Sequence, residues 1–272
     1  MRRWLALMLF GAFLLAAAPV GAHHFVTGLR EDYSTGDLEA DIALGDALIS
    51  WQMPHGGWSK GMEEQYRRMW NGREARSSQL RGGVELGTID NDATVKEILF
   101  LASLYKRTGE VRFKEAVLRG IDYLLAMQYP SGGWPQVYPA RGNYSDYVTF
   151  NDNAMINAME LLDHARKGEP PFDSDILEEG YAERITEALY RGIDYILKSQ
   201  IRVNGVLTAW GAQHDPYTYE PRPARTYEHV SISGSESVAI VRFLMEWEER
   251  TPEIEEAIRA AGRLLVKAEA VS

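Results

Sequence analysis

Two short runs of acidic and amide side chains, Asp90-Asn91-Asp92 and Asn151-Asp152-Asn153, are the first candidates for chemistry in this chain. Carboxylate and carboxamide oxygens are the donors a hard divalent cation such as calcium takes, often from several loops at once. The runs lack the regular donor spacing of a helix–loop–helix calcium loop. Each Asn-Asp pair, Asn91-Asp92 and Asn151-Asp152, also stands at a helix start. There Asn and Asp cap free N–H groups and complement the helix dipole. On spacing alone the cap is the simpler reading and the ion site the alternative. Further along, Tyr138 to Asp146, Trp210 to Pro216 and Pro223 to Glu228 are richer in polar and charged groups than loops require. Within them Arg225 has a ready salt-bridge partner in Glu228, and His214 beside Asp215 reads as loop-fixing. The six histidines form no His-Glu-x-x-His zinc pattern, and there is no cysteine to supply a ligand. No Gly-x-Ser-x-Gly and no phosphate-binding glycine loop is present.

The elements that must hold these residues come from an internal repeat. Residues 113–124, Phe-Lys-Glu-Ala-Val-Leu-Arg-Gly-Ile-Asp-Tyr-Leu, return as Ile-Thr-Glu-Ala-Leu-Tyr-Arg-Gly-Ile-Asp-Tyr-Ile at 185–196, and the match runs on to Gln128 and Gln200, 72 residues apart. An earlier copy ends at Gln52. Each glutamine leads into a glycine turn and a tryptophan: Gly56-Gly57-Trp58, Gly132-Gly133-Trp134, and Gly205 with Trp210. Phe113, Val117, Ile121 and Leu124 recur at helical spacing, and Val95, Ile98, Leu99, Ala102 and Tyr105 form a second stripe with a stop at Gly109. Further helices are expected from about Asn153 to Ala165 and Ser235 to Trp247. Strand alternation is absent. The pattern predicts an all-α fold, a toroid of repeated helical hairpins with inner helices around a central groove and long functional loops at one end. Taken alone, the Gly-Gly-Trp turns are expected to be architectural.

Composition narrows the class. Arg2-Arg3, the apolar run from Trp4 to Ala18 and the small residues Val20-Gly21-Ala22 read as a secretory signal over residues 1–22. The mature chain, residues 23–272, is then expected to be secreted or periplasmic, monomeric, and without stable membrane insertion after signal cleavage. With no cysteine it must be held by its core. The net charge is −10, and losing the two signal arginines makes it −12. Such a chain is a poor match for nucleic acid, and an anionic polymer needs local arginines or a metal to reverse the field.

Several motifs, in this order, resemble the pectate lyases of polysaccharide lyase family 10. They are Gly132-Gly133-Trp134-Pro135-Gln136, Tyr138 to Asp146, Asn151-Asp152-Asn153-Ala154-Met155, Gln213-His214-Asp215-Pro216, and Pro223-Ala224-Arg225 through Tyr227-Glu228 to Ser233-Gly234-Ser235-Glu236-Ser237. The resemblance implies a helical toroid that cleaves polygalacturonate, the acidic backbone of pectin, by calcium-assisted β-elimination. It implies Arg225 as the Brønsted base and Asp90, Asn91 and Asp152 as the calcium site. Lys60, Trp134, Arg141 and Asp215 are the expected substrate contacts. Tyr147 and Gly211 depart from the histidine and cysteine expected there. Glu269 stands where a fourth loop glutamine would fall, so the domain is expected to be C-terminally truncated relative to the family. Two other readings stay open: a non-catalytic pectin-binding homologue, and a toroid like the triterpene cyclases, whose Gln–Trp repeats the 119–134 segment also resembles.

Overall fold

The computed structural model describes residues 25, 27–28 and 33–269, with side chains as far as 264. The expected signal, residues 1–22, lies outside the described residues. Seven α-helices carry the described chain: α1 (Leu38–Trp51), α2 (Val95–Thr108), α3 (Val111–Met127), α4 (Ala154–Lys167), α5 (Tyr181–Ser199), α6 (Gly234–Glu246) and α7 (Pro252–Glu269). α2 pairs with α3, α4 with α5 and α6 with α7. α2, α4 and α6 touch in that order as an inner row, while α1 meets α3 and α5 meets α7 outside. None of the described helices is long and apolar enough to cross a membrane.

The apolar stripes explain the layers. On α5 the buried residues Ile185, Ala188, Leu189, Gly192, Ile193 and Ile196 follow helical spacing and leave the other face to solvent. The inner helix α2 is buried on almost every side, from Val95 through Ile98, Leu99, Phe100, Leu101 and Ala102 to Leu104. The expected central groove is therefore filled by side chains along its length, and room for a ligand is left at the N-terminal end of the inner helices. Gly109, left-handed at φ 70, ends α2 and turns the chain directly into α3.

The repeated glutamines join one outer helix to the next. Gln52, Gln128 and Gln200 cap α1, α3 and α5 with extended backbone. Gln52 Nε2 donates to Gly56 O (2.8 Å) and Ala116 O (3.0 Å). Gln128 Nε2 donates to Gly132 O (2.9 Å) and Ala188 O (2.8 Å). Gln200 Nε2 donates to Thr208 O and Ala257 O, both at 3.0 Å. Trp58, Trp134 and Trp210 are all fully buried, and each indole N–H reaches back to a helix carbonyl, Leu48, Leu124 and Ile196 respectively. Buried N–H groups need such partners, so the turn-and-tryptophan motif is architectural, as expected.

Four two-residue ladders stitch the loops: β1 (Leu80–Arg81) with β2 (Val84–Glu85), β3 (Gly87–Thr88) with β4 (Val137–Tyr138), β5 (Val148–Thr149) with β8 (Gln213–His214), and β6 (Arg202–Val203) with β7 (Val206–Leu207). All four pairs are antiparallel. The β3–β4 and β5–β8 ladders each tie a strand just ahead of an inner helix to the loop of the following repeat. They thereby fix the positions of the segments that enter α2 and α4.

Candidate active site

A single 3-10 turn precedes each of α2 and α4, Asp90–Asp92 and Asn151–Asn153. Backbone bonds set their correspondence. Thr88 N donates to Trp58 O and Thr149 N to Trp134 O, both at 3.0 Å; Ile89 N donates to Gln136 O (3.1 Å) and Phe150 N to Ala212 O (2.8 Å). Asp90 therefore matches Asn151, and Asn91 matches Asp152. This corrects by one residue the alignment expected from the Asn-Asp pairs. The carboxylate stands first in one turn and second in the other.

Both turns hold two successive non-glycine residues in the left-handed region: Asn91 (φ 52) and Asp92 (φ 61), then Asp152 (φ 53) and Asn153 (φ 58). Asn and Asp tolerate this region better than other side chains. Neither Thr94 nor Asn153, the N-caps of α2 and α4, makes a side-chain capping bond. The Asn and Asp side chains thus shape turns that present oxygens; the capping account fails on geometry. The third inner helix, α6, starts at Gly234 directly after extended Ser233, without such a turn.

The two turns line one cavity of about 230 Å³ together with Lys60 and Arg225. Asp90, Asn91, Asn151 and Asp152 all face it; Gln136, Tyr144, Gln213 and Glu228 complete the wall, so every lining residue is polar. Lys60 forms an ion pair with Asp90, whose carboxylate is almost fully buried. At Asp152 burial raises the pKa, and the neighbouring charges of Asp90 and Glu236 raise it further. Lys60 and the amide of Asn151, which donates to Asp152 Oδ2 at 2.7 Å, oppose this incompletely. Arg225 is exposed and paired with Glu228, which also accepts from the Arg225 backbone N–H at 2.9 Å. The hydrogen bond to Glu228, then its charge, pushes the Arg225 pKa above the ordinary arginine range. The N-terminal ends of α2 and α4 add their positive dipole ends to the same wall.

The donor set suits a hard cation. Asp90, Asn91 and Asp152 supply oxygens only, and the raised pKa of Asp152 marks a carboxylate whose charge the protein does not match. Calcium takes six to eight oxygens, so three side chains fit a site that substrate and water oxygens complete. Among the described residues no three His, Cys, Asp or Glu side chains form a closed metal cage.

Three expected substrate contacts are placed elsewhere. Trp134 is fully buried with its indole N–H committed to Leu124 O, so it has no face for a sugar ring. Asp215 accepts from the N–H groups of Tyr217 and Thr218, both at 2.9 Å, and from Arg222. Burial would raise its pKa, but those bonds outweigh it and hold the carboxyl low; it fixes its own loop. Arg141 is not among the side chains that line the cavity; its backbone N–H donates to Asp146 Oδ1 at 2.6 Å. His214 is loop-fixing as expected: Gly211 N donates to its Nε2, its Nδ1 lies 2.9 Å from Tyr219 O, and burial pushes its pKa down to about 4. Gln136 and Gln213, not expected as site residues, had a signal in the repeat: Gln136 stands two residues after a repeat tryptophan, as Lys60 does, and Gln213 stands three after the next.

The sequence profile of pectic acid lyases matches residues 52–270. Among solved structures, a family 10 polysaccharide lyase from Cellvibrio cellulosa is 41% identical, with a TM-score of 0.70 over 82% of this chain and 68% of that one. An aspartate-to-alanine mutant of a family 10 polysaccharide lyase from the same organism, in complex with trigalacturonic acid, is 40% identical, with a TM-score of 0.71 over 83% of this chain and 71% of that one. None of the curated proteins matches. Profile, identity and hairpin architecture agree along most of the chain, and on them it belongs to the pectic acid lyase family, as an all-α polysaccharide lyase of the family 10 kind.

Proposed function

We propose that this lyase cleaves α-1,4-linked polygalacturonate by calcium-dependent β-elimination, leaving a 4,5-unsaturated sugar at the new non-reducing end. The observation that carries the reading is the all-polar cavity in which Asp90, Asn91 and Asp152 face Lys60 and Arg225. A polyanion approaching a chain of net charge −10 needs such a local reversal of the field. Asp90, Asn91 and Asp152 would hold calcium, which would supply a Lewis acid for the C6 carboxylate and so raise the acidity of the C5 proton. Lys60 holds the Asp90 carboxylate in place through their ion pair. Gln136, Tyr144 and Gln213 offer amide and hydroxyl groups to the sugar hydroxyls.

Arg225 is the base in this reading. It removes the C5 proton; the C5–H electron pair forms the C4=C5 double bond, and the C4–O pair leaves on the glycosidic oxygen, which water protonates. An arginine pKa above about 12 opposes this role, and the pair with Glu228 strengthens the opposition. Substrate that opens the Arg225–Glu228 pair, with Lys60 and calcium close by, moves the pKa the required way. The reaction then belongs to alkaline medium.

The test is the ultraviolet absorbance of the conjugated product during incubation with polygalacturonate. It rises with calcium and stays flat with a chelator. A rise untouched by chelation removes calcium from the mechanism, and no rise with calcium at alkaline pH removes the reaction.

A further inference from the structure

Beside the catalytic cavity lies a second of about 320 Å³, and Asn151, Gln213 and Glu228 line both. Beyond that shared wall the chemistry changes. The second cavity is faced by Gly211, Ala212, Pro221, Ser231, the imidazole of His229 and the highly exposed ring of Tyr227, with no lysine and one guanidinium. Its guanidinium, Arg222, is already bound to Asp215 through Nε (3.2 Å) and Nη2 (3.0 Å), with Glu220 at 3.8 Å. Its carboxylate, Glu228, is held by Arg225. The catalytic cavity contains Asp152, whose charge is left unmatched and which invites a cation and, through it, a uronate. In the second cavity the guanidinium has its counter-charge in Asp215, and Glu228, once substrate draws Arg225 away, adds only negative charge.

From this contrast, and resting on the lyase reading above, we propose that the second cavity binds a methyl-esterified galacturonosyl residue next to the free-acid residue in the catalytic cavity. A buried carboxylate without an unmatched cation is costly, whereas a neutral ester is not. Tyr227 and Pro221 offer apolar faces to a pyranose ring. Gly211 and Ala212 keep this part of the lining small. The enzyme would then read the pattern of esterification along the polymer, taking an acid at one cavity and an ester at its neighbour.

Ala212→Leu tests this by filling the second cavity, because the Ala212 side chain does not line the catalytic one. Its carbonyl still accepts from Phe150 and Asn151. Against half-esterified pectin, kcat/KM should fall by roughly tenfold, the scale of a few misplaced methylenes in a pocket, while the rate on polygalacturonate is kept. Equal loss on both polymers, or no loss on either, overturns the proposal. Calorimetric titration with fully esterified and free-acid trigalacturonate gives a reading independent of cleavage. There the variant should weaken only the esterified trimer, and a like effect on both overturns the site. An unreactive enzyme that still shows this difference fails as a lyase but keeps the site.

Discussion

At Asp152, burial and the charges of Asp90 and Glu236 oppose ionisation, and this has opposite consequences for stability and for function. A folded-state pKa above the unfolded value means that the group contributes stability below its ordinary pKa, and that this is lost as pH rises through the raised one. Asp152→Asn should therefore raise the Tm of calcium-free protein at neutral pH, with the gain vanishing in acid. The same change should lower kcat/KM by roughly 10²-fold, the scale of losing one transition-state electrostatic group, and reduce the stabilisation that added calcium brings. Calorimetric scans with calcium and with chelator decide it: an undiminished calcium response in the variant removes Asp152 from the ligands. Arg225 carries the complementary prediction. Glu228 raises its pKa, first by hydrogen bond and then by charge. Glu228→Gln should lower that pKa and shift the alkaline rise in rate toward lower pH. Arg225→Lys should not restore activity to an alanine variant, since an ammonium lacks the planar fork. A pH profile of kcat/KM for Glu228→Gln, which reports the free enzyme in which the native pair is closed, superimposed on the native one would remove Arg225 as the base. Lys60, Asp90, Asn91, Asp152 and Arg225, singled out in the sequence through the family resemblance, face one cavity. Trp134 is closed off because type does not reveal exposure: an indole suited to sugar stacking is equally suited to closing a helix hairpin.

Helix boundaries were the most legible elements, because periodicity and glycine stops act locally. The stripe from Val95 and the stop at Gly109 became α2 with a left-handed Gly109 cap, and the duplicated segments became α3 and α5. The one-residue error at the Asn-Asp pairs has a physical origin. Two left-handed residues in a 3-10 turn follow no helical period, so only the ladder bonds from Thr88 and Thr149 reveal the register. Filled inner space was equally hidden, since a helix buried all round and one lining a groove share the same apolar residues. The repeat itself makes a prediction. Gly132 sits at φ +105, and an added Cβ would fall 2.0 Å from Arg191 O; Gly168 is also left-handed at φ +62 but has nothing within 4 Å. Gly132→Ala should destabilise by at least about 3 kcal/mol through strain and backbone displacement. Gly168→Ala should cost only about 1 kcal/mol, the left-handed penalty. Urea unfolding of the two variants side by side checks the contrast, and similar midpoints would show that the approach of Gly132 to the Arg191 carbonyl is not needed for stability.

For the molecule as a whole, the proposed chemistry calls for alkaline medium, while one buried acid in the inner helices resists it. Glu97 lies on α2, wholly buried, with Oε1 accepting from Tyr33 OH at 2.7 Å and Oε2 without a partner. Burial pushes its pKa up to about 7, against the hydrogen bonds from Tyr33 and the start of α2 and the charge of Lys96. Below its ordinary carboxylate pKa the proton is present in both states, and the folded protein keeps its full stability. As pH rises from the ordinary carboxylate pKa to about 7 the unfolded chain has lost a proton that the folded state still holds, and stability declines until the folded state ionises as well. Glu97→Gln removes that loss while leaving an oxygen for Tyr33 to donate to. The variant should match the native protein near about pH 5 and exceed it near about pH 9 by on the order of 3 kcal/mol. Urea midpoints at both pH values, with chelator throughout so that calcium binding does not contribute, measure the difference. If the two proteins unfold together at alkaline pH, Glu97 ionises in the fold without penalty, and another group must set the alkaline limit of stability. If the predicted gap appears and activity on polygalacturonate persists, the variant extends the range in which the lyase stays folded. That outcome would separate the acid that limits the scaffold from Asp90 and Asp152, the acids assigned to the reaction.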